Sequence, residues 1–305
     1  MYKEISKLIM YGNLDNNSIL SSMADIFNRF DNNLSSKEEL ITDIYTQIKR
    51  ILEVATDYGF DNNLWHNYLT YFLITNENPF SITCEKVGAN DGSVNIFARN
   101  DFKVFYNLFH YDFSEIEEKL GIDCFSIISN YKAIVKKELM YNKNVSEKVR
   151  ELSSRLERTK NENEFFDEVT EFYKAFGVGM FGLNKAFRIS SDEKDGLVFH
   201  PINNMDKVVL DDLIGYEIQK QKLVENTENF VQGRKANNCL LFGDSGTGKS
   251  TSIKAIVNEY YEQGLRMIEI YKHQFKDLSN VIAAIKNRNY KFSQIKIIRS
   301  RRKKQ

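Results

Sequence analysis

The sequence predicts a mainly α-helical amino-terminal domain followed by an α/β segment built around a phosphate-binding loop. Apolar residues recur at helical spacing from the start of the chain to about residue 175. Proline, which interrupts helices, occurs only at Pro79 and Pro201. The run Gly243-Asp244-Ser245-Gly246-Thr247-Gly248-Lys249-Ser250 fits G-x-x-x-x-G-K-[ST] and lies between an apolar, strand-like run and a helical pattern.

The helical stripes follow in order. Ile19, Met23, Ile26 and Phe30 share one face. Leu40, Ile41, Ile44, Ile48, Ile51 and Ala55 form a second, begun by the capping box of Ser36 and Glu39 and stopped at Gly59. Trp65 and His66 fall in an apolar helix around Leu64 and Leu69, where His66 reads as a core or rim residue with no catalytic partner. Phe125, Ile128, Tyr131, Val135 and Leu139 predict a further helix; so do Val145, Val149, Leu152 and Leu156, then Phe165, Phe166, Val169, Phe172, Tyr173 and Phe176. Such faces bury against one another in a bundle, although a groove for a protein partner is an alternative use. There is no internal repeat.

Three close glycines, Gly177, Gly179 and Gly182, end this texture. Residues 1–176 are read as the helical domain and 177–205 as a connector, with Ser190, Ser191, Asp192 and Glu193 in an exposed turn. Residues 206–292 form the α/β segment. There a helix runs through Gln219, Leu223, Thr227 and Phe230 to about Gly233; Cys239-Leu240-Leu241-Phe242 is expected as a buried strand leading into the loop. The next helix reaches Tyr261. After Gly264 come a second strand, Arg266-Met267-Ile268-Glu269-Ile270-Tyr271, and a helix through Leu278, Ile282 and Ile285.

At 305 residues the chain has room for two domains and a real core, and its 22 Phe and 16 Tyr supply the apolar bulk. No apolar run approaches a membrane span and the first residues lack a signal-peptide pattern, so a cytoplasmic protein is expected. Cys84, Cys124 and Cys239 are too scattered for a disulfide framework or a zinc site and are read as buried free thiols. The zero net charge conceals an asymmetry. Nine of the 42 basic side chains follow residue 285, leaving 33 against 42 acidic ones before it, about −9.

The loop pattern is a physical device. Glycines let successive N–H groups turn toward phosphate oxygens, the following helix adds a partial positive charge, the lysine reaches the β and γ phosphates, and the serine reaches magnesium. The bland alternative is an ordinary glycine-rich turn between strand and helix. A dinucleotide fingerprint fits less well, because the glycines fall as G-x-x-G-x-G and Lys-Ser follows.

With Asp212-Leu213-Ile214-Gly215, a helix and then the loop, the chain resembles an AAA+ ATPase of the P-loop NTPase class. Adding Tyr216, Glu217, Asn237-Asn238, residues 264–270 and the helical first half, it is similar to a bacterial AAA+ family classed as a domain of unknown function, number eight hundred and fifteen. The resemblance is strongest over residues 206–290. It implies ATP or ADP with Mg2+ as ligands, held by Gly243, Asp244, Ser245, Gly246, Thr247, Gly248, Lys249, Ser250 and Thr251. Ile214 and Gly215 would offer backbone contacts to adenine, Leu213 an apolar wall, and Ser250 a magnesium ligand.

The resemblance is read as stopping at Phe292. An AAA+ core needs a third strand ending in acids, and residues 278–305 contain no Asp or Glu. In the AAA+ strand order, Glu269 would sit three spacings of about 4.8 Å, roughly 14 Å, from the loop-bearing strand. Asp211 and Asp212 read as turn or capping residues, and Asp244 as shaping the loop, so no catalytic residue is assigned. Gln294-Ile295-Lys296-Ile297-Ile298 offers a makeshift third strand without an acid. The expectation is therefore an AAA+ fragment, ended before its acidic strand, that binds nucleotide without hydrolysing it and does not assemble a ring. The basic tail, 293–305, has three readings: a frameshift or early-stop product, a solvated end, or a nucleic-acid-binding segment. The last lacks aromatics after Phe292 to stack on bases. A non-enzymatic interaction module with a vestigial nucleotide site is the alternative function.

Overall fold

The structure, a computed structural model, describes residues 1–297 apart from 91, 135–141, 193–195, 204, 206 and 245. Ser245, Glu193, Val135 and Leu139, and the tail from 298 onward, therefore lie outside the described residues. The chain divides into two units, Met1–Leu183 and Asn184–Gln305.

Caps and breakers set the helices of the first unit. After α1 (Tyr2–Ile5), α2 (Ile19–Asp31) begins where the Ser18 hydroxyl accepts from the Ser21 N–H. The reciprocal Ser36–Glu39 box opens α3 (Lys37–Tyr58), and Gly59 closes it in the left-handed conformation at φ 65°. Then come α4 (Leu64–Thr75) and α5 (Pro79–Val87), where proline at the first turn forfeits only an N–H that has no helical partner. The unit continues through α6 (Ser93–Phe109), α7 (Ser114–Leu120), α8 (Cys124–Ser129), α9 (Lys143–Glu157), α10 (Glu162–Phe176) and α11 (Gly179–Leu183).

The stripes read from sequence converge on one core. Met23, Ile44, Leu69, Phe105, Val149, Leu152, Phe165 and Tyr173 are all buried within it. One expected helix is corrected. The face through Phe125 and Ile128 ends with α8, and Tyr131 instead exchanges backbone hydrogen bonds with Asn62, 3.0 and 2.8 Å, as an isolated antiparallel bridge.

Buried polar groups tie the amino-terminal segment into this core. The Asp101 carboxylate accepts from the backbone N–H of Ile9 and of Tyr11, each at 2.9 Å. The Tyr173 hydroxyl donates to the Leu73 carbonyl at 2.7 Å and therefore accepts from the Tyr11 hydroxyl, also at 2.7 Å. His66 stacks on Phe109 and lies 2.7 Å through Nε2 from that residue's carbonyl oxygen; burial lowers its pKa. Because a carbonyl can only accept, Nε2 carries the proton, and the ring is a rim residue.

The second unit carries a four-stranded mixed sheet in the order β2-β1-β3-β4, with β1 (Ala186–Asp192), β2 (Gly196–Pro201), β3 (Leu265–Tyr271) and β4 (Lys291–Ile297). β1 pairs antiparallel with β2 and parallel with β3, and β3 pairs parallel with β4. Its helices are α12 (Glu217–Val231), α13 (Lys249–Tyr260) and α14 (Leu278–Ile285). Leu265, Met267, Ile268 and Ile270 of β3 are buried, as an interior strand requires.

Two expectations about this unit change. Residues 177–205, read as a connector, hold α11 and the β1–β2 hairpin. Ser190 and Ser191 belong to β1, where Ser190 alternates with buried Phe187 and Ile189. Residues 239–242 form no strand. Leu240 is 80% and Phe242 87% exposed, because the position beside β3 is taken by β1 and leaves the run without a ladder. Cys239 is accordingly exposed, whereas Cys84 and Cys124 are buried, with thiol pKa values pushed up to about 11 by desolvation.

Replacing Tyr173 by Phe strands the Tyr11 hydroxyl and the Leu73 carbonyl; urea unfolding is expected to show a loss of about 1 to 3 kcal/mol. A thiol reagent added to the native protein is expected to modify one cysteine per chain rapidly. Cys239→Ser should abolish that fast phase.

Candidate functional site

The phosphate-loop pattern occupies the entry to α13. Gly243, Gly246 and Gly248 take φ values of 142°, 87° and 77°, a region closed to most side chains, so the backbone turns there in a way the motif's glycines permit. Gly248 is the N-cap, and Lys249, Ser250 and Thr251 form the first turn of the helix. The unpaired N–H groups of that turn and the helix dipole make the entry favourable to anions.

Lys249 folds back over the loop. Its Nζ donates to the carbonyl oxygens of Gly243, 2.9 Å, and Asp244, 2.6 Å, and lies 3.2 Å from the Thr247 hydroxyl. Thr247 Oγ1 donates in turn to the Asp244 carbonyl at 2.9 Å, so that it accepts from the lysine. The Ser252 hydroxyl closes the first turn onto the Gly248 carbonyl at 2.9 Å. The Ser250 side chain is exposed at the same end.

The segment preceding α12 reaches the loop. A 3-10 turn at Leu210–Asp212 is closed by the Asp212 carboxylate accepting from the Val209 N–H, 2.9 Å, which places Asp212 as a capping residue. Beyond it, Leu213 Cδ2 lies 3.2 Å from where a side chain on Gly248 would begin. Ile214 follows with 97% of its surface exposed, and Gly215 has φ 84° with open space around it. The fold therefore brings Leu213 against the loop, and Ile214 and Gly215 are its immediate chain neighbours.

Three residues that position this segment were missed in the sequence. The Asn258 side-chain amide donates to the Val208 carbonyl at 2.9 Å, Glu259 Oε1 accepts from the Leu210 N–H at 2.9 Å, and Lys220 Nζ donates to the Leu213 carbonyl at 2.8 Å. Polar side chains on helices read as solvated faces, and no spacing rule distinguishes these. Asn226 is a fourth such residue, exchanging two 2.8 Å hydrogen bonds with the backbone of Asn237 and so pinning the chain that leads into the loop.

The carboxylate considered as a catalytic substitute is otherwise engaged. Glu269 on β3 pairs with Arg188 on β1, its neighbour in register, at 2.6 Å. Among the described residues no group of three or more His, Cys, Asp or Glu gathers as a metal cage, and no helix is long and apolar enough to cross a membrane.

Residues 183–295 match the family described as a protein of unknown function, DUF815. The matched stretch takes in the β1–β2 hairpin, the Leu213 segment, the loop and α13, and it continues past Phe292 into β4. The resemblance thus runs further than Phe292, whereas the match does not extend over the helices up to residue 182. Comparison with curated proteins and with solved structures finds no match.

Gly248→Ala meets both a positive φ and the Leu213 methyl. It is expected to cost about 1 to 2 kcal/mol of stability through the backbone alone. In thermal unfolding, Leu213→Ala combined with it should recover the packing part of the loss and leave the backbone part.

Proposed function

We propose that the second unit binds ATP or ADP with magnesium and does not hydrolyse it, as an AAA+-like nucleotide site. The observation that carries this reading is the loop itself: glycines at positive φ leading directly into a twelve-residue helix, with the Lys249 ammonium held over the loop carbonyls. A phosphate there would replace the carbonyl oxygens as the partner of Nζ and accept from the free N–H groups of the first turn. Leu213 stands against the loop as an apolar wall, with Ile214 and Gly215 beside it for an adenine ring.

The same residues fit magnesium only in part. Ser250 supplies one hydroxyl, and phosphate oxygens and water would complete an octahedron, as is usual for this ion. Hydrolysis additionally needs a carboxylate to orient water, and residues 278–305 contain no Asp or Glu while Glu269 is held by Arg188.

Calorimetric titration of the whole chain is expected to detect magnesium-dependent binding of ATP and ADP, weakened at least tenfold by Lys249→Ala. Phosphate release should stay at the background of that variant. Turnover that the substitution abolishes would overturn the non-hydrolysing part of the reading. Absence of binding by the unsubstituted chain would overturn all of it.

A further inference from the structure

We infer that Asn258 and Glu259, on the phosphate-loop helix, are positioning residues that set the base-recognition segment against the loop. This inference rests on the nucleotide reading above.

The geometry is that of a strap laid along a helix. Residues 208–215 are fastened near the far end of α13 by the two side chains, through the Val208 carbonyl and the Leu210 N–H. Leu210 is buried among Ala255, Ile256, Val257 and Tyr260, so the fastening lies over an apolar contact and not over water. From there the chain reaches Leu213, whose methyl abuts Gly248 at the near end. Residues 249 and 258 are nine apart, about 13 Å along a helix rising 1.5 Å per residue. One rigid element thus carries the phosphate loop at its start and the anchors of the strap near its end.

Lys220 holds the strap from a different helix, α12, by donating to the Leu213 carbonyl. Its ammonium also pairs with Glu217 at 2.9 Å, which orients it. Just beyond these fastenings Ile214 and Gly215 make no comparable contact: Ile214 is almost fully exposed, and Gly215 has nothing near its Cα on the side-chain side. An apolar surface held open beside a phosphate loop suits a planar base. It is useful only if its distance from the loop is constant, and the anchors on α13 provide that constancy. Fastening the strap in advance also spares the ligand the entropy of ordering it.

The separation of base from phosphate gives the test. The unsubstituted chain, the double variant Asn258→Ala/Glu259→Ala, Glu259→Gln and Lys220→Met are titrated with magnesium-ATP and with magnesium-tripolyphosphate, which has the phosphates and no base. The double variant is expected to lose about tenfold in ATP affinity, some 1.4 kcal/mol, while tripolyphosphate binding changes by less than about twofold. Glu259→Gln keeps an oxygen acceptor and should stay near the unsubstituted ratio. Lys220→Met, which loosens the same strap from α12, should shrink the ratio of ATP to tripolyphosphate affinity in the same direction; if the double variant does not fold by circular dichroism, the single variant Asn258→Ala replaces it, and an unchanged ratio there overturns the inference. An equal loss for both ligands, or no loss, would overturn the inference and leave the nucleotide reading intact. Failure of the unsubstituted chain to bind either ligand would overturn both.

Discussion

Strand β3 has parallel partners on both edges, β1 through Ala186–Arg188 and β4 along its full length, and this pairing governs where the other segments of the second unit can lie. A strand has two rows of hydrogen-bonding groups and no more. Once β1 and β4 fill those of β3, the run before the phosphate loop has no place beside it. That run is held instead by one side chain, Asn226, at Asn237. The loop is positioned from its other end, by the helix that follows it, whose Ala255, Ile256, Val257 and Tyr260 enter the small core of this unit.

This explains which parts of the site could be read from sequence. The glycine spacing, Lys249 and the helix after it are local properties, and local chemistry determines them: positive φ at three glycines and a helix starting at the lysine. The buried strand expected before the loop is a different kind of statement. Cys239-Leu240-Leu241-Phe242 has strand composition, but a strand exists only in a pair, and the partner is not encoded in those four residues. The positioning roles of Asn258, Glu259 and Lys220 are similarly invisible, since each is an ordinary polar residue until the strap lies against it.

In the first unit the legible features were those with a period or a cap. The Ser36–Glu39 box, the Gly59 stop and the apolar faces of α2, α3, α9 and α10 all appear where the pattern puts them. The stripe through Tyr131 misled because apolar spacing alone does not say where a helix ends; the chain leaves the helix there to pair with Asn62, far back in sequence. The β1–β2 hairpin carried a signal that was outweighed. Phe187 and Ile189 alternate with Arg188 and Ser190, the period of a half-buried strand, but the neighbouring glycines and serines suggested a loop.

The fastening of the amino-terminal segment has a temporal side. Tyr11 and Asp101 meet across 90 residues, and Tyr11 and Tyr173 across 162. On a chain made at roughly 5–20 residues per second, Tyr11 can pack against Phe72 of α4 before Asp101 of α6 or Tyr173 of α10 has been made. The apolar contacts of this segment can therefore form several seconds before its buried hydrogen bonds, which are completed only when α10 is in place.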